Sequence, residues 1–183
     1  MDKVWNFFAI GFRDIPVPVL IGLLLLSCVG VFFLLVFLGW KRGIRWSGRL
    51  LLLEYLTFIL FLSFILRSSQ GEHVANMIPF WSYRAILAGE QYVLVQVIVN
   101  VLAFIPVGLL FGCFLGRSKW WMALLIGGGF SVLIEILQFV FKRGMAEFDD
   151  VFHNVLGCLI GYGLYVGVTW LVEFLLKKRS VVH

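Results

Sequence analysis

The stretch EILQFVFKRGMAEFDDVFHNVLGCLIG, Glu135 to Gly161, decides how this chain is read. One hydrophobic run carries Glu135 and Gln138 and ends in a charged turn with Arg143, Glu147, Asp149 and Asp150. A second hydrophobic run then opens with Asn154. Ionisable groups at bilayer depth are costly, so by default they mark a functional site.

That depth follows from composition. Of the 183 residues, 62% are apolar and 14% charged, against about 25% charged in an ordinary globular domain. With a mean hydropathy of +1.02, the chain is excluded from the soluble class. Crossing roughly 30 Å of hydrocarbon takes about 20 apolar residues in a helix. Five runs qualify: Val17 to Trp40, Leu50 to Leu66, Gln91 to Gly116, Lys119 to Phe141 and Val151 to Leu176. The expected fold is an all-α membrane protein, a polytopic bundle of about five transmembrane helices with interfacial amphipathic segments. The chain divides into an interfacial segment (1–16), two spans (17–66), an extracytoplasmic loop (67–90), a core of three spans (91–176) and a basic cytoplasmic tail (177–183). The first run is too long for a signal peptide and lacks a small-residue cleavage site, so nothing is expected to be removed. Glu54, a turn into the second span, is placed to snorkel towards Arg45 and Arg49.

Orientation follows from Lys and Arg. The link after the first span (Lys41, Arg42, Arg45, Arg49), the link after the third (Arg117, Lys119) and the tail (Lys177, Lys178, Arg179) hold nine of the 15 basic residues. The positive-inside rule then puts the amino terminus outside and the carboxyl terminus in the cytoplasm. The formal charge of +5 is read as topology, with basic residues at anionic headgroups, and nucleic acid is not an expected partner. Cys28, Cys113 and Cys158 lie in or near apolar spans and read as buried, inert thiols. They have no zinc spacing with His73, His153 or His183, and no phosphate-binding glycine loop is present, so no metal or cofactor is expected.

Glu135 lies roughly 9 Å below the outer boundary of its span, with Gln138 one turn above it on the same face. Asn154 lies about 6 Å below the start of the fifth span, one turn past Asp150, and Asn100 roughly 13 Å inside the third. Three helices thus place polar groups in the outer third of the membrane, capped by the turn that carries Arg143. Each residue also has a plainer reading. Asp149 or Asp150 would serve as the N-cap of the fifth helix, where loss of a cap costs about 1 kcal/mol. Asn100, Gln138 and Asn154 would serve as interhelical hydrogen-bond glue. Glu135 is protonated if it is buried without a partner and ionised if Arg143 reaches it.

Gly157 and Gly161, extended by Gly163 and Gly167, form a small-xxx-small stripe, and Gly127 to Gly129 do the same in the fourth span. Pro106 with Gly108 is expected to bend the third span. The tryptophans fall mostly at predicted boundaries, as an aromatic belt. Asn76 to Arg84 and Val4 to Phe12 are aromatic and amphipathic, suited to lying on the outer leaflet.

These blocks carry a resemblance. Asn76-Met-Ile-Pro-Phe80, then Asn100 with Phe104, Pro106 and Gly108, then Glu135 with Gln138, then Arg143-Gly144, Glu147, Asp149-Asp150, Asn154 and Gly157 resemble the VanZ family of bacterial membrane proteins, over roughly Asn76 to Gly161. The family is named for a protein associated with low-level resistance to teicoplanin, a glycopeptide bearing a fatty acyl chain. The resemblance implies a cell-envelope protein linked to antibiotic resistance, with membrane lipids and an amphiphilic ligand or lipoglycopeptide as partners. It does not settle a reaction. The favoured reading is a non-enzymatic protein that binds or shields such a ligand. The alternatives are an intramembrane enzyme acting on a lipid-linked substrate, with Glu135 or Asp150 as general acid or base, and a proton-coupled transporter.

Overall fold

The computed structural model describes residues 40–61, 63 and 71–180. The amino-terminal segment and the first predicted span, up to residue 39, lie outside them, as does the end of the second predicted span. The described residues form α1 (Trp40–Leu60), β1 (Val74–Asn76), α2 (Trp81–Leu87), α3 (Gln91–Leu115), α4 (Trp120–Val140), β2 (Met145–Glu147) and α5 (Phe148–Ser180).

Three of these helices are long and apolar enough to cross a membrane: α3, α4 and residues 148–178 of α5. Their bounds fall within a few residues of the third, fourth and fifth predicted spans. The sequence signals differ at α1. Its first turns hold Lys41, Arg42, Arg45 and Arg49, read from sequence as a link, yet the helix runs through them from Trp40. Lys and Arg are good helix formers, so the helix extends back from the Leu50 run without a break. The Arg49 guanidinium lies 4.7 Å from the centre of the Trp46 ring.

The tightest contact is between α3 and α5, and it rests on glycine. A Cβ on Gly161 would overlap the Ile105 carbonyl, one on Gly157 the Val101 carbonyl, and one on Gly108 the Cys158 carbonyl. Val101 facing Gly157 and Ile105 facing Gly161 advance together along the chain, so the two helices run parallel. Between α4 and α5 the order reverses. Gly127 faces Cys158, where an added Cβ would meet the sulfur at 2.7 Å, and Ser131 is bonded to Asn154, so these helices are antiparallel. Small residues let backbones approach where lipid offers no hydrophobic drive to association. Gly129, Gly163 and Gly167, expected to extend the same stripes, have nothing within 4 Å of an added Cβ.

Around these contacts lies a core of Ile59, Phe104, Val107, Phe111, Ala123, Ile134, Cys158 and Tyr162. The Tyr162 hydroxyl donates to the Gly116 carbonyl and accepts the Lys119 N–H at 3.2 Å, pinning the α3–α4 turn to α5. Helix α3 runs on through Pro106, which leaves the Leu102 carbonyl without its i+4 donor. In the same turn Ala103 accepts the Tyr55 hydroxyl of α1 at 2.9 Å. Cys113 is exposed, contrary to the expected burial, whereas Cys158 is buried and its thiol donates to Ala123 at 3.4 Å.

The helical class has one addition that the sequence reading did not contain. β1 and β2 pair in parallel, with Val74 opposite Met145, Ala75 opposite Ala146 and Asn76 opposite Glu147. Unpaired backbone is expensive at membrane depth, and this pairing satisfies two segments that would otherwise be open loop.

Candidate functional site

The site is built at the end of the bundle where α4 stops and α5 starts. Helix α4 brings Ser131, Glu135 and Gln138 to one stripe, spaced four and three residues apart, and all three are buried. Past Val140 the chain turns through Lys142, at φ 56°, and Gly144, at φ 98°. It enters β2, and α5 begins directly with Asp149 and Asp150 in its first turn.

Glu135 meets the far side of that turn, where its Oε2 accepts the backbone N–H of Glu147 at 2.8 Å. The Glu147 carboxylate in turn accepts the Trp81 indole N–H at 2.9 Å on one oxygen and the Gln96 amide at 3.3 Å on the other. A single 4%-exposed carboxylate thereby joins α2, α3 and β2. Sequence reading placed Trp81 in an aromatic belt; its N–H is turned inward instead.

Asp149 is the correction with the largest energetic consequence. It does not sit at the N-cap of its own helix, which has already begun at Phe148. Its carboxylate reaches across to the start of α2, accepting the Phe80 N–H at 2.6 Å, the Ser82 N–H at 2.9 Å and the Ser82 hydroxyl at 2.5 Å. It caps a helix 67 residues away in sequence. Phe80 adopts φ 59°, a left-handed conformation uncommon for a bulky residue, and the bond from its N–H to Asp149 holds it there.

The remaining predicted residues are distributed as follows. Asn154 donates to the Ser131 hydroxyl at 2.8 Å, joining α5 to α4. The Gln138 side-chain amide donates to the Ser63 carbonyl at 2.9 Å, and the Gln138 backbone carbonyl accepts the Arg143 backbone N–H at 2.8 Å. Asp150 is buried in the first turn of α5. Asn100, one turn past Gln96 on α3, is half-buried with its amide nitrogen unbonded; the α3 amide bonded to Glu147 is Gln96. Gln138 Oε1 and Asn154 Oδ1 are also buried without hydrogen-bond partners.

Sequence reading did not single out Ser82, Gln96, Ser131 or His153. The signal for Ser131 is its place one turn before Glu135, in line with Gly127. For His153 it is the spacing of four residues between Asp149 and Gly157. His153 is 1% exposed and lies 3.1 Å from the Tyr83 hydroxyl of α2 through Nε2.

Beside this polar node runs a groove of about 430 Å³. Val132, Ile136 and Phe139 of α4 and Phe148 and Val151 of α5 form its apolar walls. The strands cover it with Ala75 and Ala146, and Glu135 and Glu147 complete the lining. Val132 and Ile136 are also 44% and 52% exposed, so the groove opens sideways, along the exposed apolar face of α4. Among the described residues no group of His, Cys, Asp and Glu is arranged to hold a metal ion.

No curated protein and no solved structure matches the chain at a significant level. A family model does, that of VanZ/LLP1, over residues 48–172. The match reaches past the motif blocks on both sides, from within α1 to well along α5, and takes in the whole polar node and its groove. The chain belongs to the VanZ/LLP1 family of proteins.

Proposed function

We propose that this membrane protein binds or shields an amphiphilic, lipid-like envelope ligand at the outer leaflet, and so supports tolerance to acylated glycopeptides such as teicoplanin. In this reading the membrane is the bacterial cytoplasmic membrane, with the amino terminus outside and the carboxyl terminus in the cytoplasm. The observation that carries it is the groove. An apolar slot open to the hydrocarbon runs alongside buried carboxylates, which is how a chain and a head group would be accommodated together. The Lys and Arg distribution supports the orientation.

Two measurements test this. In a variant free of native cysteines, single cysteines in the 71–90 segment and at Lys142 should react with an impermeant thiol reagent on intact cells; labelling only after lysis would invert the topology. Expression in a susceptible Gram-positive host should raise tolerance to teicoplanin more than to vancomycin, which lacks the acyl chain, and equal protection against both would count against the proposal. Glu135→Gln keeps an oxygen for the Glu147 N–H and loses the titratable group. A binding protein retains part of its effect in this variant. A lipid-directed enzyme using Glu135 as general acid or base loses on the order of 10² to 10⁴-fold.

A further inference from the structure

The side-chain polar groups at Trp81, Ser82 and Tyr83 all turn inwards. The Trp81 indole N–H goes to Glu147 and the Ser82 hydroxyl to Asp149, and the Tyr83 hydroxyl lies 3.1 Å from Nε2 of the buried His153. Ser82 and Ala85 form the buried side of α2. The side that remains is apolar. Met77, Ile78, Phe80, Tyr83 and Leu87 are all exposed, Leu87 to 88%. This is the reverse of a helix at a protein–water surface, where the apolar stripe faces the core and the polar residues face out.

A contiguous exposed apolar patch marks a contact with a membrane or with another protein. Its neighbour decides between them. The Phe80 ring stands edge-on to that of Phe152, with centroids 5.4 Å apart. Phe152 is itself 38% exposed and lies one turn into α5, a helix long and apolar enough to cross the membrane. The patch is therefore continuous with a face that lipid covers. Arg84, beside Tyr83, is exposed, and an arginine at this level can set its charge among the head groups while its stem lies along the apolar face. Glu72 and Glu90, at either end of the segment, are exposed and mark where the chain returns to water.

We propose that residues 77–87 are a lipid-contact element, seated at the boundary between acyl chains and head groups of the leaflet at this end of the bundle, with phospholipid as the partner. An amphipathic segment gains by burying its apolar face in that boundary, and here the opposite face is spent on the carboxylates of the node. The node is thus roofed by an element that is itself in lipid. Met77, which lines the mouth of the groove, belongs to the same surface, so whatever the groove takes arrives through the leaflet.

The test uses the unaltered chain in phosphatidylcholine nanodiscs doped with a phosphatidylcholine whose acyl chain carries a photoactivatable diazirine close to its ester. Adducts are mapped by mass spectrometry. Ile78, Phe80 and Leu87 should carry adducts as Phe152 does, and on the order of tenfold more than Glu72 and Glu90, as expected of a face buried at the interface. Leu87→Glu sets a charge on that face and should lower the adducts over residues 78–87 several-fold while leaving those at Phe152 unchanged. Adducts at Phe152 with none over residues 77–87 would overturn the proposal, whether water, the residues before Trp40 or a second copy of the chain covers the patch instead. Undiminished adducts in a folded Leu87→Glu variant would also overturn it, since the apolar face would then not be what seats the segment. The map of the unaltered chain decides the question even if that variant does not fold.

Discussion

Replacing Asp149 with alanine should destabilise the protein by roughly 3 to 5 kcal/mol, the range for breaking a buried, charge-assisted network. Three donors lose their acceptor together: the N–H groups of Phe80 and Ser82 and the Ser82 hydroxyl. With them goes the bond that holds Phe80 in its left-handed conformation. Helix α2 has seven residues, too few to be stable alone, so it should detach from the bundle. Trp81 would then lose its place on Glu147, and tryptophan fluorescence should shift to the red at temperatures where the rest remains folded. Asp149→Asn keeps one acceptor and should fall between the two. A loss near 1 kcal/mol in Asp149→Ala, as for an ordinary helix cap, would mean that the reach across to α2 carries no energy.

The second large effect is expected at Gly161. An alanine there puts a methyl group into the backbone carbonyl of Ile105, and no rotamer can relieve a clash with backbone. Overpacking typically costs about 1 to 3 kcal/mol, and the upper end or beyond is expected where two main chains must separate. Gly163, two residues on in the same helix, has open space around an added Cβ. Gly163→Ala should therefore be neutral, or stabilising by up to about 1 kcal/mol through helix propensity. Thermal unfolding in one detergent compares the pair. Similar behaviour of the two substitutions would show that the α3–α5 approach is not set by these glycines.

This contrast shows how far the sequence reaches. Gly157, Gly161, Gly163 and Gly167 form one stripe by residue type, but only the first two face α3. Spacing identifies a helix surface that can pack closely and does not say which neighbour comes to it. The three apolar spans were legible because hydrophobic length is a local property, and Glu135, Gln138 and Asn154 stood out because polar residues are conspicuous in apolar runs. The role of Asp149 was not legible. A carboxylate two residues into a helix reads as a cap for that helix, and the donors it serves lie 67 residues earlier. The β1–β2 pair escaped for the same reason, since strands of three residues have no periodicity to detect. Glu147 was legible as a candidate, but its partners were not: Trp81 carried a boundary signal and Gln96 was an unremarked amide near the start of a span.

The parallel pairing of β1 with β2 also fixes an order of assembly. Asn76 and Glu147 are partners in the sheet, and two complete membrane-spanning helices, α3 and α4, lie between them in the chain. Contacts so distant in sequence form only after the intervening loop has been closed. The α3–α4 hairpin can enter the bilayer as an apolar pair during synthesis, but the acceptors for Phe80, Trp81 and Ser82 lie beyond its end. Until Asp149 has been made, the segment that becomes β1 and α2 has no partner for its strand edge or its helix start. Helix α5 therefore acts as the fastener of the site, and a chain truncated before α5 would keep a helical hairpin and have no site at all.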